Sequence, residues 1–259
     1  MAEHAKLLVT REGAVTRITF NNPERRNAVD PETCVALRDA VLSAAVDDSR
    51  VVVLTGAGGE AFCSGADLKA GAPLTDVTEY LRTVTNPTIR TLREMAKPVI
   101  ARVNGVAAGV GFNYALAADI RIAVSTARFS QAFVKIGLIP DGGSTYLLSR
   151  MIGYARAFEL MVSGDVIDAP RALAAGLVNR VVAPEELDGV VNELAARLAM
   201  APALAVAGIK RAAGFGEAHS LAESLDFEAV TQKGCIESAD FREGVAAFLQ
   251  KRAPRFEGR

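Results

Sequence analysis

PVIARVNGVAAGVGFNYALAADIRIAV, residues 98–124, decides the architecture. Pro98–Val103 is a β-branched apolar run, the composition of a strand buried on both faces. Glycines end it, the Ala-rich stretch Gly109–Ala118 reads as helix, and Ile120–Val124 is strand-like again. Strand–helix–strand alternation predicts an α/β domain with parallel strands. Upstream, Val51–Thr55 is a second buried-strand run closed by glycines, and Leu7–Thr10 and Val15–Phe20 flank Arg11-Glu12-Gly13 as a hairpin. Asp30-Pro31 is an N-cap followed by proline at the first helical position, with Leu37 and Val41 at helical spacing after it. Downstream the character changes. Leu187, Val190, Val191, Leu194 and Leu198 mark an amphipathic helix, and Ala203–Ala213 and Leu221–Ile236 are helical. Asp240 and Glu243 have the spacing of a capping box before a last helix. The expected division is an α/β core over 1–195 and a helical region over 196–259.

Composition narrows the function classes. Half of the 259 residues are hydrophobic and the net charge is −1. No basic arm or stripe is present, so no nucleic-acid partner is expected. Cys34, Cys63 and Cys235 are far apart and the only histidines are His4 and His219, which disfavours a metal site. Sparse cysteines suit a reducing compartment. The first dozen residues are charged, with no apolar core of a signal peptide, and no apolar run approaches the ~18 residues a membrane span needs. The expectation is a cytoplasmic protein with no membrane partner.

Four segments, three of them glycine-bearing, carry the candidate chemistry. AFCSGADLK (61–69) follows the Val51–Thr55 strand, and its small residues leave backbone N–H groups open to a ligand; the plain alternative is a tight turn. In NGVAAGVGFN (104–113) a helix N-terminus brings free N–H groups and partial positive charge, a place to hold developing negative charge. Glycine packing between helix and sheet explains the same residues. IGLIPDGGST (136–145) holds one carboxylate, Asp141, which could equally cap a helix starting near Ser144. NNPERRNA (21–28) places Arg25 and Arg26 in a turn, either solvated or facing phosphates. Neither a P-loop nor a dinucleotide fingerprint is present.

Taken in order, N-x-P-x-x-x-N-A, F-C-x-G-A-D-L-K, N-G-x-A-x-G-x-G, I-G-L-x-P-x-x-G-x-T and the ending DFREGVAAFLQKR (240–252) resemble the crotonase superfamily over nearly the whole chain. The resemblance implies a spiral of ββα units followed by helices that assemble a trimer or a dimer of trimers. It implies an acyl-CoA thioester substrate and no separate cofactor, coenzyme A being part of the substrate. The thioester oxygen would lie between the N–H groups of Ala66 and Val110, where Val110 replaces the usual glycine. Arg25, Arg26 and Ala28, with Ala66, Asp67, Leu68 and Lys69, match positions that border coenzyme A. Asp76–Met95 matches the variable acyl-pocket cover, with Tyr80 and Leu81 as lining candidates.

Departures from the family pattern bear on the reaction. The two glutamates of a hydratase map to Asn113 and Phe133, which cannot ionise and would wall the acyl pocket instead. Asp141 remains, at the position that carries an aspartate in relatives resembling the enoyl-CoA and ring-epoxide isomerases of aromatic-acid degradation. One carboxylate beside an enolate can remove a proton at one carbon and return it at another, so double-bond isomerisation by Asp141 leads. Alternatives are a CoA-thioester dehalogenase or hydrolase with Asp141 as nucleophile, a hydratase with Asp141 as sole acid/base, and a non-catalytic acyl-CoA-binding protein.

Overall fold

Strand β1 (Leu7–Glu12) turns through Gly13 into the antiparallel β2 (Val15–Phe20), as the sequence predicts, with β1 two residues longer. The structure is a computed structural model that describes residues 5–70 and 76–258; His4 lies outside the described residues. Beyond the hairpin the pairing is parallel: β3 (Val51–Gly56) joins β2, β5 (Val99–Val103) joins β3, β7 (Ile120–Val124) joins β5, and β10 (Arg180–Val182) joins β7. All six residues of β3 are buried, which accounts for the absence of charged residues in it.

Short strands make a second sheet in the order β4 (Ala61–Cys63), β6 (Val106–Ala108), β8 (Arg128–Ser130) and β9 (Val166–Asp168), with β9 antiparallel to its neighbour. The chain steps from the large sheet to the small one after β3, again after β5 and again after β7. That succession is the ββα spiral the resemblance implies.

Helix α1 (Pro31–Val46) starts where Asp30 accepts the Thr33 N–H at 2.8 Å, and it buries Leu37 and Val41. The segment that the resemblance marks as the pocket cover folds as α2 (Val77–Tyr80), a π-helical turn (Leu81–Thr85) and α3 (Asn86–Glu94). Then come α4 (Val110–Ala117), α5 (Ser144–Ile152), α6 (Tyr154–Ser163) and α7 (Ala169–Ala174). Next, α8 (Leu187–Ala199) buries Leu187, Val191 and Leu194 against the large sheet. The expected division at 195/196 falls inside this helix. After it, α9 (Ala203–Gly216), α10 (Leu221–Ile236) and α11 (Ala239–Leu249) bury little, and α10 buries no residue.

One capping expectation is corrected. Ser238, not Asp240, caps α11: its hydroxyl accepts the Phe241 N–H at 3.0 Å from an extended backbone. Asp240 lies inside the first turn and accepts the N–H groups of Glu257 and Gly258, while Glu243 pairs with Arg252. Among the described residues no single helix is long and apolar enough to cross a membrane, and no three His, Cys, Asp or Glu side chains form a candidate metal site.

Candidate active site

Two backbone turns meet where β4 and β6 end. Val29 bridges both sides of Ala66, donating to the Gly65 carbonyl at 2.9 Å and accepting the Asp67 N–H at 2.8 Å. Such pairing uses the neighbours' groups and turns the N–H of Ala66 to the other side. Val110 opens α4, so its N–H has no intrahelical acceptor, and the cap, Gly109, supplies no side chain to take it. The N–H of Gly109 itself is spent on the Ser130 carbonyl at 3.0 Å. The two turns touch through glycine. A Cβ on Gly65, whose φ is +101°, would lie 2.9 Å from the Ala108 carbonyl oxygen and 3.7 Å from Gly109 Cα. Ala66 and Val110 follow these contact points directly, so the turns present adjacent donors at the helix end. The Phe133 ring lies about 4 Å from where a Cβ of Gly109 would stand, at the edge of the same turn.

Asp141 arrives on the loop before α5. The helix-cap reading fails: Gly143 is the N-cap and no side chain caps α5. It is the main-chain carbonyl of Asp141 that is held, by Ser144 N–H at 3.1 Å, Ser144 Oγ at 2.9 Å and Asn113 Nδ2 at 2.9 Å. The carboxylate is left for other work. Its Oδ1 is buried without a hydrogen-bond partner, and burial holds the carboxyl above the ordinary carboxylate range. A buried carboxylate oxygen without a partner, its pKa raised by burial, is a candidate base.

Asn113 is fully buried. Its amide is committed to Asp141 on one side and to Gln131 Nε2, at 2.9 Å, on the other. The cover packs on the Asp141 loop, with Thr85 and Ile89 methyls about 3.5 Å from the Cβ positions of Gly142 and Gly143. Tyr80 and Leu81, in the cover, are half-buried. The Tyr80 hydroxyl is pushed to stay protonated, first by burial and then by Cys34 and Asp141. Tyr114 donates to Cys34 Sγ at 3.7 Å behind it, and burial raises both the Cys34 thiol and the Tyr114 hydroxyl.

At the rim, Ser64 N–H donates to the Arg26 carbonyl, and Arg25 pairs with Asp67 at 2.9 Å. These bonds bring the 25–28 and 66–69 segments together. Arg26, Leu68 and Lys69 are exposed there, and Ala28 is half-buried. Asp67 does more than pair with Arg25. Its carboxylate also accepts the N–H groups of Lys69 and Ala70, so it shapes the loop. His219 stacks on Phe215 in the C-terminal hairpin.

Sequence reading missed Asn27, Tyr114 and Gln131. Asn27 is buried and ties its turn to Ala57 and Ala61 carbonyls at 3.0 and 2.7 Å. All three sit within or beside the motif segments, but a buried amide or phenol gives no periodic signal.

Residues 10–259 match the model of a family described as enoyl-CoA hydratase/isomerase. The chain belongs to that family. It is 41% identical over 254 residues to the 1,2-epoxyphenylacetyl-CoA isomerase of Escherichia coli, covering 96% of this chain and 97% of that one. It is 42% identical over 243 residues to a protein of Rhodobacter capsulatus named "Probable enoyl-CoA hydratase", covering 93% and 94%. The crystal structure of an enoyl-CoA hydratase from Bacillus anthracis superposes with a TM-score of 0.93 at 33% identity, over 98% of this chain and all of that one. Enoyl-CoA hydratase/isomerase membership makes this an enzyme acting on acyl-CoA thioesters. The names of its relatives divide between isomerase and hydratase.

Proposed function

We propose that the protein is an acyl-CoA double-bond isomerase in which Asp141 shuttles the proton. The observation that carries this reading is the buried, unpartnered Oδ1 of Asp141, on a loop whose main chain is bonded to α4, the helix that Val110 opens. The thioester oxygen accepts from both N–H groups, each such donor being worth roughly 3–4 kcal/mol as the enolate forms. Asp141 takes a proton from one carbon, the double bond moves, and the carboxylic acid returns the proton to the other terminus of the conjugated system. No water is consumed and no net proton is gained or lost. Burial of Asp141 favours the protonated form that must persist between the two transfers.

Asp141→Asn should lower isomerisation of 3-enoyl-CoA thioesters by about 10²–10⁴-fold. Full activity in that variant refutes the reading. Hydration with Asp141 as sole acid/base is a second reading, favoured by the hydratase name of the Rhodobacter relative. Loss of absorbance on adding crotonyl-CoA, abolished by Asp141→Asn, would select it. Trimeric assembly, or a dimer of trimers, is part of the proposal. Its support is the set of apolar side chains that α9–α11 leave exposed, among them Ile209, Val230 and Phe248.

A further inference from the structure

We propose that Asn113 and Gln131 are positioning residues that fix Asp141 relative to the oxyanion donors. The inference rests on the reading of Asp141 as the acid/base. Asp141 precedes two glycines at positive φ, Gly142 at +51° and Gly143 at +75°. Such a segment has little conformational preference of its own. Of the three hydrogen bonds on the Asp141 carbonyl, two come from Ser144, which opens α5 directly after these glycines. The third, from Asn113 Nδ2 at 2.9 Å, comes from a different element, α4.

That element also carries the donor. Val110 and Asn113 are three residues apart on α4, so about 4.5 Å of rigid helix rise separates the oxyanion N–H from the strut that holds the base. One helix thereby sets the spacing between the two halves of the chemistry. Packing reinforces the bond, since a Cβ on Gly142 would stand only 3.2 Å from Asn113 Nδ2.

The Asp141 carbonyl, an acceptor only, draws the Asn113 Nδ2 toward it, and Gln131 holds the amide oxygen that this leaves on the other side. Both side chains are fully buried. Gln131 Nε2 donates to Asn113 Oδ1 at 2.9 Å, which leaves Nδ2, the donor, facing Asp141. A flipped Asn113 would set its oxygen against the Asp141 carbonyl oxygen, a repulsive contact. Gln131 and Phe133 leave the same strand end, so the orienting amide and the pocket-edge ring are placed together. A residue that cannot ionise thus acts on the reaction through the backbone of one that can.

The test is α-proton exchange of an acyl-CoA thioester in heavy water, measured against pH for wild type, Asn113→Leu, Gln131→Met and Asp141→Asn. Asn113→Leu should lower kcat by about 10–100-fold, the scale expected of a misplacement near 1 Å, with KM changed less than about twofold. The acid limb of its kcat/KM profile should move toward the ordinary carboxylate range as the loosened Asp141 gains water. Gln131→Met should show the same changes with smaller amplitude, and it serves as the readout if Asn113→Leu does not fold. A variant that only lowers Tm, with kcat per folded molecule and acid limb as in wild type, overturns the inference while leaving an inactive Asp141→Asn in place. Full activity in Asp141→Asn would overturn the acid/base reading and this inference with it.

Discussion

Asp141 combines two properties that a surface aspartate lacks: a backbone carbonyl held three times and a carboxylate oxygen held by nothing. The second property has a stability consequence. Burial raises its folded pKa above the unfolded value, so between those values the folded chain binds more protons than the unfolded chain. Stability therefore falls as pH rises through that window. Asp141→Asn should melt a few degrees higher than wild type at pH 7, with the gap closing below about pH 4, where the unfolded carboxyl is also protonated. Thermal melts at the two pH values check this; a variant less stable than wild type at pH 7 contradicts it. Catalysis should show the same group from the other side, with kcat/KM falling on the acid side at a pH above the ordinary carboxylate range. Asp141 was legible in the sequence because it is the one carboxylate in its glycine segment. Its supports were not, because Asn113 read as a lost glutamate and Gln131 carried no charge to attract notice.

Elements tell a similar story with a different cause. Hairpin, buried strands and long helices were readable from composition and spacing, and α10 begins and ends where the sequence places it. The small sheet was not read. Its strands are three residues each, shorter than any alternation that could reveal them, and they exist only because the chain stacks successive turns. The cost of that stacking is backbone contact. A Cβ on Gly111 would fall 2.2 Å from the Cys63 carbonyl oxygen, backbone that cannot swing away. Gly111→Ala should therefore cost more than ~3 kcal/mol and separate α4 from β4. Gly189, near the start of α8, has nothing within 4 Å of its Cβ position. Gly189→Ala should be neutral or stabilise by about 0.5 kcal/mol. Chemical denaturation of the pair tests whether close approach, and not glycine itself, is what matters. Equal destabilisation of both variants would contradict it. The capping error at Asp240 has its own lesson: two acidic residues at capping-box spacing cannot be told from a first-turn acid plus an ion-pair partner until the tail that follows folds back onto them.

At the scale of the whole molecule, α9 is tethered on one side and bare on the other. Lys210 Nζ donates to the Leu92 and Lys97 carbonyls and pairs with Asp119 at 2.8 Å, which pins α9 to the end of the pocket cover and to the core. Opposite, α9–α11 line a broad apolar groove that includes Leu204, Ile209, Leu225, Phe241, Val245 and Phe248. Ile209 is 68% exposed and Phe248 82%. Apolar surface on this scale is unusual on a monomer and is expected to be covered by further copies of the chain. Ile209→Asp with Phe248→Asp should then shift the sedimenting species from trimer or hexamer to monomer, because an interface core does not accept unpaired carboxylates. The same change should leave the far-UV spectrum intact, since neither side chain is part of the buried core. A wild type that sediments as a monomer at micromolar concentration would contradict the assembly, and a double variant that still associates would move the interface elsewhere. Because α9 grips Leu92 and Lys97 at the base of the cover, loss of assembly should also loosen the pocket, read as a rise in KM for acyl-CoA that exceeds the fall in kcat.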